Sequence, residues 1–465
     1  LDYNGVGNHE FDEGISELLR VAYGDNNSKG YKPARKDGCH PVDGCGDGDG
    51  YGGADFEFLA ANVAYKDSGQ TIFPPYAIHK FPGGVKVAFV GMTLEGTPLI
   101  VSPDGISSVN FLPEAESVNA LVPFLQRRGV EAIVVLLHEG GRVPVSGNGA
   151  GNVAAINDCT NPTGAIPQIV PMMDDAIDIV ITGHTNWAVN CLIDGKIVTG
   201  AASQGRLITD IDASIDRTTG DFIPGSITVN NRIVTRDVAP AGSLTDLIAR
   251  YNVFAEPIAS VVVGNTSVPL DRTNTSGGES PLGRLIADAQ LASAQAAGTG
   301  ALIAFMNPGG IRANLDAGPI THGEAFSVQP FSNILTTKTM TGAQIDTLLE
   351  QQFTVNSGSN AGNARTTILQ VSDGFTYSWD ASGALGNKVD PSTIKLDGVT
   401  LGADTSYRVT MNNFLATGGD DFPAFTLGTD SVTGADDLVA LEAFLAPTVS
   451  TPYVPPVGTR ITRLN

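Results

Sequence analysis

Three short apolar runs, Val85–Val90, Ala132–Leu137 and Ile177–Ile181, constrain this chain more than any other feature in it. Each is rich in Val and Ile and is followed within two residues by Gly or His. Near-continuous runs of that kind mark strands buried on both faces, as in a parallel sheet covered by helices. Helical periodicity lies around them. Ile15, Leu18, Leu19 and Ala22 recur at i, i+3, i+4 and i+7, and so do Val118, Leu121, Val122 and Leu125. Strands alternating with helices predict an α/β (α+β layered) first half.

The texture changes further along. Short strands and turns through Ile211–Arg236 give way to a helical stretch with Leu244, Leu247, Ile248 and Tyr251 on one face, which Pro257 is expected to end. This places a first domain at 1–237, a linker helix at 238–258 and a second domain at 259–465. The second domain has helices of its own. One opens with Ser280 as N-cap and Pro281 at the first helical position, turns Leu282, Leu285, Ile286 and Ala289 inward, and stops at Gly298. Another carries Ile345, Leu348, Leu349 and Phe353.

Composition narrows the classes of function. Lys+Arg 27 against Asp+Glu 49 gives a net charge of −22, a field that repels polyanions and argues against nucleic acid or an anionic membrane as partner. No apolar run approaches the ~18 residues of a membrane helix. The four cysteines, Cys39, Cys45, Cys159 and Cys191, fit no zinc-ribbon spacing and allow two disulfides in three connectivities. The short Gly/Asp loop between Cys39 and Cys45 favours a local bridge there, which would leave Cys159 for Cys191. Paired cysteines, acidic character and few lysines point to a secreted or cell-surface protein. Gly48–Gly53 fits GxGxxG, but no strand precedes it and its carboxylates repel phosphate, so it reads as a flexible loop.

The residues that carry chemistry sit at strand ends. His138 follows Ala132–Leu137, His184 follows Ile177–Ile181 in Gly183-His184-Thr185-Asn186, and His9 lies in Gly7-Asn8-His9-Glu10-Phe11-Asp12. Ligand sites of α/β sheets form beyond the carboxyl ends of strands, and imidazoles delivered there suit a metal site. His40, His79 and His322 lack such a setting and read as surface or loop residues. In the second half, Asn307-Pro308-Gly309-Gly310-Ile311-Arg312 places a guanidinium after a Gly pair, a pattern suited to an anion. Phe331, in Gln329–Asn333, and Phe414, in Asn412–Phe422, stand on polar loops and could sandwich a flat base.

In that order, these motifs resemble those of the bacterial and animal 5′-nucleotidases. The resemblance implies a calcineurin-like metallophosphatase β-sandwich flanked by helices, followed by an α+β nucleotide-binding domain. It implies two divalent metal ions, zinc, manganese or similar, with Asn8, His138 and His184 among their ligands and Asn186 as a further candidate. His9, held by Asp12, would stabilise the transferring phosphoryl group. Arg312, with Arg272 as a second candidate, would contact phosphate. Phe331 and Phe414 would stack on the base, and Asn307 and Asp420 would meet the nucleotide's polar groups. The expected activity is hydrolysis of nucleotide phosphate esters, with UDP-sugars as further substrates. The alternatives are a 2′,3′-cyclic-nucleotide phosphodiesterase with 3′-nucleotidase activity and a non-catalytic surface or structural protein on the same scaffold. The family's first metal motifs precede its Gly-Asn-His-Glu segment, so the natural protein is expected to extend upstream of Leu1.

Overall fold

The computed structural model describes residues 1–25, 34–42, 44–101, 103–143, 156–355 and 364–465. The chain divides into two compact units, one comprising Leu1–Ala241 and the other Gly242–Asn356 with Ala364–Asn465.

The first unit begins with β1 (Tyr3–Gly5) and α1 (Gly14–Tyr23), and β2 (Glu57–Leu59) pairs parallel to β1. Its main sheet is built from β3 (Tyr76–Lys80), β4 (Lys86–Met92), β5 (Ala132–Leu137), β6 (Ile179–Thr182), β7 (Ala188–Ile193) and β8 (Lys196–Ala201), in the order β7-β8-β6-β5-β4-β3. Helix α2 (Glu114–Arg127) connects β4 to β5. The parallel core β4, β5, β6 is what the three apolar runs predicted, and alternate residues explain their continuity. Ala88, Val90, Ile133, Val135, Leu137 and Val180 share one buried cluster with Val118, Val122 and Leu125 of α2. Val87, Ala132, Val134 and Ile179 form another, covered by Ile211, Ile215 and Phe222. With both faces buried, no position along these strands is left for a polar alternation.

Both disulfides pair as the spacing favoured, Cys39 with Cys45 and Cys159 with Cys191. His79 departs from expectation. It lies within β3 rather than in a loop, and its Nδ1 stands 3.1 Å from the Tyr3 hydroxyl. The Tyr3 ring also stacks on Phe89 of β4 at 5.0 Å, which seats β1 against the sheet.

The second unit starts with α3 (Gly242–Ala259). Pro257 does not end this helix; it lies inside it, two residues before Ala259, as Pro123 lies inside α2. Leu244, Leu247, Ile248 and Tyr251, which share one face, are all exposed. Helix α4 (Pro281–Ala296) forms as read, with the Ser280 hydroxyl accepting the Gly283 N–H at 3.0 Å. The chain continues through β9 (Ile303–Met306), α5 (His322–Val328), β10 (Ile334–Thr341), α6 (Gly342–Glu350), β11 (Gln370–Val371), β12 (Ser406–Asn412), α7 (Asn413–Ala416), β13 (Thr429–Asp436) and α8 (Asp437–Leu445). Phe353 lies in a strand beyond α6 rather than on that helix, yet its ring remains in the core.

Five of these strands make one mixed sheet in the order β11-β9-β12-β10-β13. One cluster joins Ile303 and Phe305 of β9 and Val409 and Met411 of β12 to Leu348 and Leu349 of α6. Another joins Leu282, Leu285 and Ile286 of α4 to Met306, Leu441 and Leu445. Among the described residues no helix is long and apolar enough to cross a membrane.

Candidate functional site

Register decides where the first unit's polar residues emerge. Met92, Leu137 and Thr182 are side-by-side partners at the carboxyl ends of β4, β5 and β6. His138 is therefore the first residue off the central strand, and its N–H donates to the Met92 carbonyl at 2.8 Å. Gly183 and His184 leave the neighbouring strand at the same level. Asn8 arrives from β1 through Val6 and Gly7, both buried. No side chain is tolerated at Gly7, since a Cβ there would stand 2.6 Å from His138 Cε1.

These approaches bring three side chains to one point. Asn8 Oδ1 is 3.0 Å from His138 Nε2 and 3.0 Å from His184 Nδ1. The two rings lie 5.5 Å apart between centroids, edge to face, and Asn8 is 1% exposed. Burial, reinforced by the His184 and His9 rings, holds His138 down to about 4, so its ring is neutral at neutral pH. His184 and Asn186 both occupy left-handed backbone, φ 62° and 60°. Such backbone costs roughly 1–3 kcal/mol per residue and collects at sites where geometry matters more than stability. Asn186 itself is exposed on this turn, with no described hydrogen bond to Asn8, His138 or His184. Next to Asn8, His9 Nδ1 donates to Asp12 Oδ2 at 2.8 Å.

The donor set suits a divalent cation. Ligands about 2.1 Å from one ion and a right angle apart are separated by about 3 Å, the spacing that Asn8 Oδ1 keeps from each imidazole nitrogen. The donors are imidazole nitrogens and an amide oxygen. Among the described residues no three His, Cys, Asp or Glu side chains converge as a metal site, so no carboxylate joins this group.

In the second unit the polar arms leave one end of the five-stranded sheet. β9 and β12 run parallel and both end there, and β10, antiparallel to β12 with Leu335 opposite Asn412, begins there. Asn307 follows β9, Phe414 follows β12 and Phe331 precedes β10. Asn307 Nδ2 donates to Asp420 Oδ2 at 2.7 Å. The Arg312 guanidinium lies over the Phe331 ring at 5.6 Å, and the Arg312 N–H donates to the Val328 carbonyl at 2.9 Å. Arg272 joins the same loop, donating from Nη1 to the Ile311 carbonyl at 3.2 Å. The Phe414 ring occupies the space beside Gly419, where an added Cβ would stand 2.5 Å from it.

Two positions escape sequence reasoning. Asp437, at the start of α8, accepts from Gln329 Nε2 and Asn333 Nδ2, both at 3.3 Å, and so holds the loop that bears Phe331. Burial pushes its carboxyl up to about 7. Asn412 donates to Asn307 Oδ1 at 3.0 Å. The only sequence signals are the doublets Asp436-Asp437 and Asn412-Asn413 at element boundaries.

Comparison with known proteins bears on both units. The family described as 5′-nucleotidase, C-terminal domain, matches residues 262–427. The chain is similar to "Endonuclease YhcR" of Bacillus subtilis, 33% identical over 442 residues, covering 95% of this chain and 32% of that protein. It is also similar to "Cell wall protein Lmo0130" of Listeria monocytogenes, 32% identical over 441 residues, covering 90% of this chain and 52% of that protein. It therefore spans about a third of the first relative and about half of the second. Among solved structures, the 5′-nucleotidase precursor of Thermus thermophilus aligns with a TM-score of 0.74 at 24% identity, over 100% of this chain and 84% of that one. That likeness is one of fold, and it is the two-domain architecture the sequence motifs implied.

Proposed function

We propose, from the premise that residues 262–427 belong to the 5′-nucleotidase C-terminal domain family, that this chain is a metal-dependent phosphoesterase releasing phosphate from nucleotides. In this reading the first unit carries the phosphoryl chemistry and the second holds the nucleotide. The observation that supports it most is the meeting of Asn8 Oδ1 with His138 and His184 at the end of a buried parallel sheet. Those three side chains would hold one divalent cation; a second ion, and Asn186 as a further ligand, belong to the same proposal. When bound, such ions supply Lewis-acid charge against phosphoryl oxygens and make water more acidic.

The chain's own residues do the rest. His9, held at Nδ1 by Asp12, would in its protonated form offset charge building on the equatorial oxygens. Arg312, and Arg272 beside it, meet phosphate. Phe331 and Phe414 offer ring faces to the base, and Asn307 and Asp420 meet polar groups of the nucleotide. The two disulfides and the likeness to a cell wall protein support a secreted or surface location. The net charge of −22 argues against a nucleic-acid substrate, whatever the much longer relative named an endonuclease acts on.

The test is phosphate release by the full-length protein with added Mn²⁺ or Zn²⁺ from AMP, UMP, a UDP-sugar, 3′-AMP and 2′,3′-cyclic AMP. Release from the 5′-nucleotides is expected. Turnover of only the cyclic and 3′ compounds would reassign it to the phosphodiesterase alternative. Turnover of none would leave a non-catalytic surface protein.

A further inference from the structure

Two buried amides and a partly buried carboxylate in the second unit form a chain of hydrogen bonds with a fixed direction. Asn412 is 1% exposed and Asn307 3%. Asn412 Oδ1 caps α7 by accepting the Leu415 N–H at 2.8 Å. A backbone N–H can only donate, so this bond fixes which end of the Asn412 amide faces the helix. Its Nδ2 is therefore left to donate to Asn307 Oδ1 at 3.0 Å, and on its other side it faces the Met306 sulfur at 3.7 Å. With its oxygen taken, Asn307 must present Nδ2 to Asp420, which accepts at 2.7 Å. The two ends of the chain agree on one direction, since the helix N–H can only donate and the Asp420 carboxylate can only accept.

We infer that Asn412 is a positioning residue for nucleoside binding. It fixes the orientation of the Asn307 amide, and through it Asp420, and it ties both to the helical turn that carries Phe414. One buried amide thus holds the polar arm and one aromatic arm in a constant relation. The inference rests on the nucleotide-binding reading of the second unit, but not on catalysis.

Asn412→Asp tests it. Aspartate keeps the acceptor that caps α7 and replaces the donor facing Asn307 with a second acceptor. The Asn307 amide then has an acceptor on both sides and must set its oxygen against a carboxylate in either orientation, losing its bond to residue 412 or to Asp420. Adenosine binding by the metal-free full chain, measured by calorimetry, is expected to weaken at least tenfold, with the melting temperature within a few degrees of the parent. Asn412→Ser, which keeps a cap but cannot reach Asn307, is expected to weaken it in the same direction, and serves if the aspartate variant does not fold. In the Asn307→Ala background, Asn412→Asp is expected to change binding less than twofold, because no amide remains between the two carboxylates. Parent-like binding by the single variants, or losses that simply multiply in the double variant, would overturn the inference, as would a parent chain that binds no adenosine. A parent that binds adenosine but releases no phosphate from any nucleotide would refute the proposed activity and leave the role of Asn412 standing.

Discussion

His9 gives its Nδ1 hydrogen to the Asp12 carboxylate at 2.8 Å, although both side chains are reached by solvent. An exposed pair of this kind adds little to stability, typically about 0–1 kcal/mol. Its consequence is orientation, since Asp12 engages one ring nitrogen and so sets how the His9 ring is turned. Asp12→Asn should therefore lower kcat for AMP by roughly tenfold to a hundredfold while shifting Tm by less than about 2 °C. A thermal melt and a steady-state assay on one preparation separate the two; an unchanged kcat would remove His9 and Asp12 from the chemistry.

Asn8 is the shared partner of His138 and His184, so Asn8→Ala removes a donor and leaves two imidazole nitrogens without their acceptor. Mn²⁺ affinity, read by calorimetry on chelator-treated protein, should fall at least tenfold. Stability in the absence of metal should fall by about 1–3 kcal/mol, the cost of stranding buried polar groups. A variant that binds Mn²⁺ as well as the parent would contradict the assignment.

Phe331 projects from the loop before β10 and Phe414 from the one-turn helix α7. Alanine at either should raise KM for AMP several-fold or more, given about 1–3 kcal/mol per stacked base, and leave turnover of a small aryl phosphate within twofold. Gly419→Ala should mimic Phe414→Ala, because the new methyl would displace the Phe414 ring it meets at 2.5 Å. Equal losses on both substrates would argue against stacking.

Asp178 offers a pH signature independent of the site. Burial, opposed in part by the Ile133 N–H that donates to Oδ2 at 2.9 Å, pushes its carboxyl up to about 7. In the unfolded chain the group ionises near 4, so between about pH 4 and 7 the folded state holds more protons. Stability due to this group is therefore greatest below pH 4, declines as pH rises through that window, and levels off above 7. Asp178→Asn keeps the acceptor for Ile133 and removes the charge. Its Tm should vary less with pH across the window and exceed the parent's at pH 8, by a free energy on the order of 1 kcal/mol after allowance for partial exposure. Parallel Tm curves for the two proteins would refute this.

How much of this was legible in sequence follows from where the physics is local. The strands of the first unit declare themselves because both faces are buried, and their register carries His138 and His184 to one level. Helix α4 declares itself through Ser280 and Pro281, which act within one turn. The limits of α3 do not, because Pro257 lies inside the helix, as Pro123 does in α2, so a proline alone does not mark a helix end in this chain. Nor does the exposure of its apolar face follow from a periodicity that normally marks burial. Asn412 and Asp437 stay hidden for another reason: their partners Asn307 and Asn333 are 105 and 104 residues away, and only the sheet brings them together.

Every arm of the second unit leaves from one end of a sheet whose two sides are sealed by separate apolar clusters. Exchanges at those loop tips touch neither seal. A lineage carrying this scaffold can therefore try new bases or sugars by small steps, each tolerated by the layers behind it, and keep folding while its taste in ligands drifts.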